Sequence, residues 1–225
     1  MKLRSIATGA GAAVLLLGWS IPAQAAGSPN PGVTSRVSTP EEEARHQEGL
    51  AKSTGEVTVL YHGQHVKISS AWAQGAQNCT EFGAGDNRCF DTAAEADRAT
   101  AEFDAARPKP LAPQGASAAQ TAPSLVNDSS CLSGWVCIYA DINFEGRKLQ
   151  WSSAGQKNLD EWSFRDQASS ACNVKNQGGF TLYDERDFMP DPGLIIGLKT
   201  CSPDFTQIGY QYGGNWNDKA DYIVV

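Results

Sequence analysis

The sequence predicts an all-β, two-motif Greek-key sandwich over residues 129–225, preceded by a small disulfide-stapled α+β region. Three observations carry that reading. Tyr139-x4-Phe144-x-Gly146 is echoed by Tyr183-x4-Phe188-x-Pro190. Arg165-Asp166-x-Ala168-Ser169-Ser170 is likewise echoed by Asn217-Asp218-x-Ala220-Asp221-Tyr222. Internal similarity of this kind marks two copies of one supersecondary unit, in which an aromatic strand bends back through a φ > 0 position and a polar turn closes the fold. The third observation is an even count of six cysteines, which reads as a covalent framework in an oxidising compartment.

Residues 1–25 have the pattern of a secretory signal peptide. Lys2 and Arg4 form a positive n-region, Ile6 to Trp19 is a short apolar run, and Ala23-Gln24-Ala25 offers small residues at a cleavage site. The expected location is therefore secreted and extracellular. Residues 26–38, rich in Pro, Gly, Ser and Thr, predict a disordered leader.

Residues 39–106 form the small α+β region. Thr39-Pro40-Glu41-Glu42 places an N-cap, a Pro at N1 and a Glu at N3, so a polar helix starts there and ends before Gly55. Glu56–Tyr61 and His65–Ser69 alternate around His62-Gly63-Gln64 and predict a hairpin. His62-x-x-His65 is not a metal pair on that reading, because i and i+3 on a strand face opposite ways. Cys79 and Cys89 flank a Gly-rich loop, and Thr92-Ala-Ala-Glu95 caps a second helix that runs to about Arg107. The apolar inventory is small enough that this region needs its staple. Residues 107–128, dense in Pro, Ala, Ser and Gln, read as an exposed linker.

In the C-terminal domain, Trp135–Tyr139 and Lys148–Trp151 predict two strands across the Phe144-Glu145-Gly146 bend, and Phe180–Tyr183 begins the second unit. Trp151, Trp162, Leu182 and Ile223 are the expected core. Spacing pairs Cys131 with Cys137 and Cys79 with Cys89, which leaves Cys172 with Cys201. Pro190 stands where the second bend wants Gly. The stretch Asp191–Cys201 reads either as a sandwich strand tethered by the Cys172–Cys201 bridge or as a rigid loop presented to another protein.

The paired bends and Asp-x-x-Ser-Ser turn resemble the Greek-key motif of the βγ-crystallins. With the Cys131-x5-Cys137 staple in front, the C-terminal domain is more narrowly similar to peptidase inhibitor family I36, small secreted bacterial inhibitors on that fold. The resemblance implies a non-enzymatic inhibitor of extracellular proteases, including metalloproteases. The inhibitory loop it implies is Lys199, Thr200, Cys201, Ser202 and Pro203, with Cys201-Ser202 as the presented bond. It also implies a weak calcium site, with Asp166, Gln167 and Ser169 from one turn and Asp218, Lys219 and Asp221 from the other. Arg165 and the Asp221-Tyr222 pair depart from the crystallin pattern. The alternative function is a non-inhibitory crystallin-like extracellular module, with no cofactor other than calcium.

Charge narrows the partners further. The chain carries 18 Lys+Arg against 25 Asp+Glu, and loss of Lys2 and Arg4 leaves 16 against 25, a net of −9. An acidic surface argues against nucleic acid and anionic membranes, and a monomer is expected. Catalytic arrangements have little support, since all three His lie before residue 66 and every Cys is wanted for a bridge.

Overall fold

Each of the two Greek keys gives its third strand to the other's sheet. This computed structural model describes residues 30–107 and 131–225. The expected signal peptide and nearly all of the expected linker lie outside the described residues. In chain order, β1 (Val33–Val37) precedes α1 (Pro40–Leu50), the hairpin β2 (Thr58–Tyr61) and β3 (Gln64–Lys67), and α2 (Ile68–Ala73). A second hairpin, β4 (Asn78–Gly83) and β5 (Asp86–Phe90), leads into α3 (Ala93–Ala106). The first key is β6 (Val136–Tyr139), β7 (Lys148–Trp151), β8 (Gln156–Asn158) and β9 (Ser170–Asn173). The second is β10 (Thr181–Tyr183), β11 (Pro192–Ile196), β12 (Thr200–Ser202) and β13 (Tyr222–Val224).

Within the sandwich the sheet orders are β12-β9-β6-β7 and β11-β10-β13-β8, so β8 and β12 have exchanged sides. The echoed turns meet reciprocally at the pseudo-twofold axis. The Asp166 amide donates to the Ala220 carbonyl at 2.9 Å, and the Asp218 amide donates to the Ala168 carbonyl at 3.1 Å. Both aspartates sit at φ 55°. Small residues are required there, and Ala168 and Ala220 are buried. Alternation builds the core: Val136 and Ile138 of β6 and Leu149 and Trp151 of β7 point inward with Trp162, Leu182 and Ile223. Each such side chain contributes roughly 1.5–3 kcal/mol by leaving water.

The division expected near residue 106 does not separate two cores. β1 pairs with β11 and β4 runs parallel to β7, so residues 33–90 extend both sheets. Val59, Tyr61, Ile68 and Ala71 belong to the same apolar cluster as Trp151 and Trp162. The second half of the expected leader is corrected likewise, because Val33–Val37 is a paired strand. Its Ser35 Oγ accepts from the Trp216 indole at 2.8 Å, while Val33 is buried. A short polar segment is ordered here because β11 otherwise presents an open edge.

α3 packs on β4 and β5 and reaches the outer face of β7 through its side chains. Lys148 and Gln150 alternate with Leu149 and Trp151, so pattern alone puts them in solvent, yet both are buried. Lys148 pairs with Asp97 at 3.2 Å, and the Gln150 amide donates to Thr80 and Thr100 at 2.7 Å each. Phe82, Phe103 and Trp135 close that layer through edge contacts of 5.1 to 6.1 Å. The Cys79–Cys89 bridge lies across the paired strands β4 and β5 rather than around a loop. Residues Ile68 and Ser69, expected in the hairpin, instead begin α2.

Candidate functional site

The bend of the first key shows how this sequence closes such a unit. Asn143 and Phe144 take φ 59° and 64°, and Gly146 takes φ 72°. A Cβ on Gly146 would run into the Asp141 carboxylate, which makes glycine necessary at that point. The Ser170 hydroxyl donates to the Asp141 carbonyl at 2.7 Å and accepts from the Phe144 amide at 3.1 Å. That clamp folds Phe144 back onto Tyr139, with centroids 5.6 Å apart.

The second key closes differently. Tyr222 replaces Ser170, and its ring stacks on Tyr183 at 5.1 Å and 10°. The imidazole of His46, delivered by α1, packs against the same Tyr183 at 4.4 Å. With Tyr183 covered, Phe188 keeps φ 64° but projects outward with its full surface exposed at 104 %. Met189 beside it is 40 % exposed. Pro190, whose ring locks φ near −65°, cannot take the left-handed conformation of Gly146, so the second bend keeps the left-handed Phe188 without a left-handed glycine after it.

The ends of this bend are pinned. The buried Asp191 carboxylate accepts from the Arg186 amide and the Tyr222 hydroxyl, both at 2.7 Å. Its backbone amide donates to Glu43 at 2.6 Å, and its carbonyl accepts from the Ser38 amide at 2.8 Å. Asp184, also buried, accepts from the Tyr210 hydroxyl, and the Tyr212 hydroxyl donates to the Pro190 carbonyl at 2.7 Å. Burial raises the Asp191 carboxyl above its ordinary range, while the Tyr222 hydroxyl and Arg186 amide pull it back. Burial and the Asp191 carboxylate raise the Tyr222 phenol strongly, so it remains a donor at any ordinary pH.

The expected inhibitory loop, residues 199–203, lies elsewhere. Thr200, Cys201 and Ser202 are β12, paired with β9 so that Cys201 faces Cys172 and Ser202 faces Ala171. Cys201 and Ser202 are both buried, so the bond between them is not presented and that expectation is corrected. A strand joined to its neighbour by hydrogen bonds and the Cys172–Cys201 bridge cannot extend into a protease cleft without tearing the sheet. Lys199 makes the exposed turn at φ 55°, and its ammonium is held by the Val174 carbonyl at 2.9 Å. Pro203 is exposed and follows the strand.

The six expected calcium ligands are divided. Asp166, Gln167, Ser169 and Asp218 line one open cleft with Asp141. There the Ser169 hydroxyl donates to Asp218 at 3.4 Å, and burial raises the Asp218 carboxyl. Asp221 lies apart and is buried, with Arg165 at 2.6 Å and the Glu185 amide donating to it at 2.7 Å. Lys219 is set over the Tyr210 ring at 5.8 Å. Among the described residues no three His, Cys, Asp or Glu side chains gather closely enough to hold a metal ion. The residues therefore do not fit a paired calcium shell, because the Arg165 guanidinium already supplies the positive charge at the second turn.

Residues 124–193 match the model of peptidase inhibitor family I36. This I36 match spans the first key and reaches into β11, taking in the Asp184–Asp191 bend and stopping short of residues 199–203. A βγ-crystallin from Ciona intestinalis is similar to the chain at 24 % identity, over 40 % of this chain and 96 % of that one, with a TM-score of 0.29. No curated protein matches the chain.

Sequence reasoning missed His46, Glu43 and the exposure of Phe188. The signal for Phe188 was Tyr222 in place of Ser170, legible only once the two turns are known to clamp their bends.

Proposed function

We propose that this protein is a secreted inhibitor of extracellular proteases. The I36 match over residues 124–193 is the observation that carries the reading. A bridged, strand-paired sandwich with pinned bends supports it, since a preordered surface loses little entropy on docking and resists cleavage. Three disulfides, Cys79–Cys89, Cys131–Cys137 and Cys172–Cys201, fit an oxidising compartment, and no helix of the described residues is long and apolar enough to cross a membrane. All six cysteines are bridged, so no thiol is left for nucleophilic chemistry.

The test is titration of the full exported chain against thermolysin, subtilisin and trypsin. Stoichiometric loss of at least one activity is expected. A flat response with all three sinks the reading.

A further inference from the structure

The bend at Phe188 is the part of this surface built to be seen by a partner. We propose that the Asp184–Asp191 bend is the docking element, with Phe188 as its anchor, and that the partner is a protease with an apolar specificity pocket. This deepens the proposed inhibitor function and rests on it.

Four observations converge. Phe188 exposes all of its surface, an arrangement that costs free energy in water and is regained when a pocket covers the ring. Met189, which follows it, adds a second apolar contact. The loop's ends are fixed through Asp184, Asp191 and Pro190, so Phe188, at the same φ of 64° as Phe144, is held in one place on the surface. The residues that match the inhibitor family include this bend.

Charge decides between pocket types. A protease with a basic-residue pocket needs a free Lys or Arg, but Lys199 is tied to the Val174 carbonyl and Arg186 lies 3.7 Å from Asp184. Phe188 stands free at the tip, flanked by Asp187 and Met189. An aromatic side chain entering a fully desolvating pocket dominates the energetics of an interface. The pinned ends keep the bend closed after docking.

The full exported chain, Phe188→Ala, Phe188→Leu and Lys199→Ala are titrated against thermolysin and subtilisin, which have apolar pockets, and against trypsin, which has an acidic one. Wild type and Lys199→Ala are expected to inhibit at least one of the first two equally. Phe188→Ala should weaken that inhibition by roughly thirty-fold or more, and Phe188→Leu should recover most of it. An unchanged Tm in Phe188→Ala shows that the loss is not unfolding. Undiminished inhibition by Phe188→Ala, or inhibition of trypsin alone, overturns this inference and leaves the inhibitor function standing. Wild type inactive on all three overturns both.

Discussion

Phe144 and Phe188 occupy the same place in the two Greek keys and share a φ of 64°, yet one ring lies 5.6 Å from Tyr139 and the other is fully exposed. The difference starts at the closing turns. Ser170 is small and clamps the first bend through two hydrogen bonds, whereas Tyr222 brings a ring that covers Tyr183 itself.

The two phenylalanines should therefore respond oppositely to truncation. Phe144→Ala removes a half-buried aromatic pair and is expected to lower stability by about 1–2 kcal/mol. Phe188→Ala removes no buried surface and should stay within roughly 0.5 kcal/mol of wild type. Urea unfolding of both variants checks this, and equal losses would contradict the assignment.

His46 should make stability depend on pH. Burial depresses its imidazole below the ordinary 6.5, while Glu42 and Glu43 raise it and Arg45 and Arg36 lower it further. The Tyr222 hydroxyl faces its Nδ1 at 2.9 Å. The unfolded chain takes up the proton near pH 6.5 and the folded chain resists it. Stability is thus full above about 6.5 and is lost as pH falls through that value toward the folded pKa. Asp191 and Asp221, raised by burial, act in the opposite sense in wild type and variant alike. Unfolding free energies of wild type and His46→Gln between pH 7.5 and 5 should converge as pH falls; parallel curves would refute the effect.

Disulfide removal should rank by loop length. Cys172–Cys201 closes a separation of 29 residues and Cys131–Cys137 one of 6. Chain entropy gives losses of roughly 3.5 and roughly 2 kcal/mol for the respective double alanine variants. Thermal unfolding of the two variants, side by side, measures the order.

The cover made by α3 can be probed at Thr100, whose hydroxyl accepts from the buried Gln150 amide and donates to the Ala96 carbonyl at 2.7 Å. Thr100→Val keeps the shape and leaves Gln150 one acceptor short, at an expected cost of about 1–2 kcal/mol. Chemical denaturation reads it directly.

Calcium should not stabilise the fold. Millimolar Ca²⁺ is expected to leave Tm unchanged within about a degree, in wild type and in Asp166→Ala, because a ligand that does not bind the native state cannot shift unfolding. A larger rise that Asp166→Ala abolishes would restore the metal site.

The sequence alone determined the repeat, and with it the two keys, because Tyr-x4-Phe and Asp-x-Ala encode local bends whose geometry depends on neighbouring residues. Capping at Thr39 and Thr92 was equally legible, since each box forms within four residues. Tertiary contacts alone show that residues 33–90 share the sandwich core, and burial of Lys148 and Gln150 depends on a helix some fifty residues earlier. The tertiary structure also decided that Cys201-Ser202 is a paired strand and that Phe188 faces outward. His46 reaches Tyr222 across 176 positions of chain, and no local pattern records a contact made at that distance.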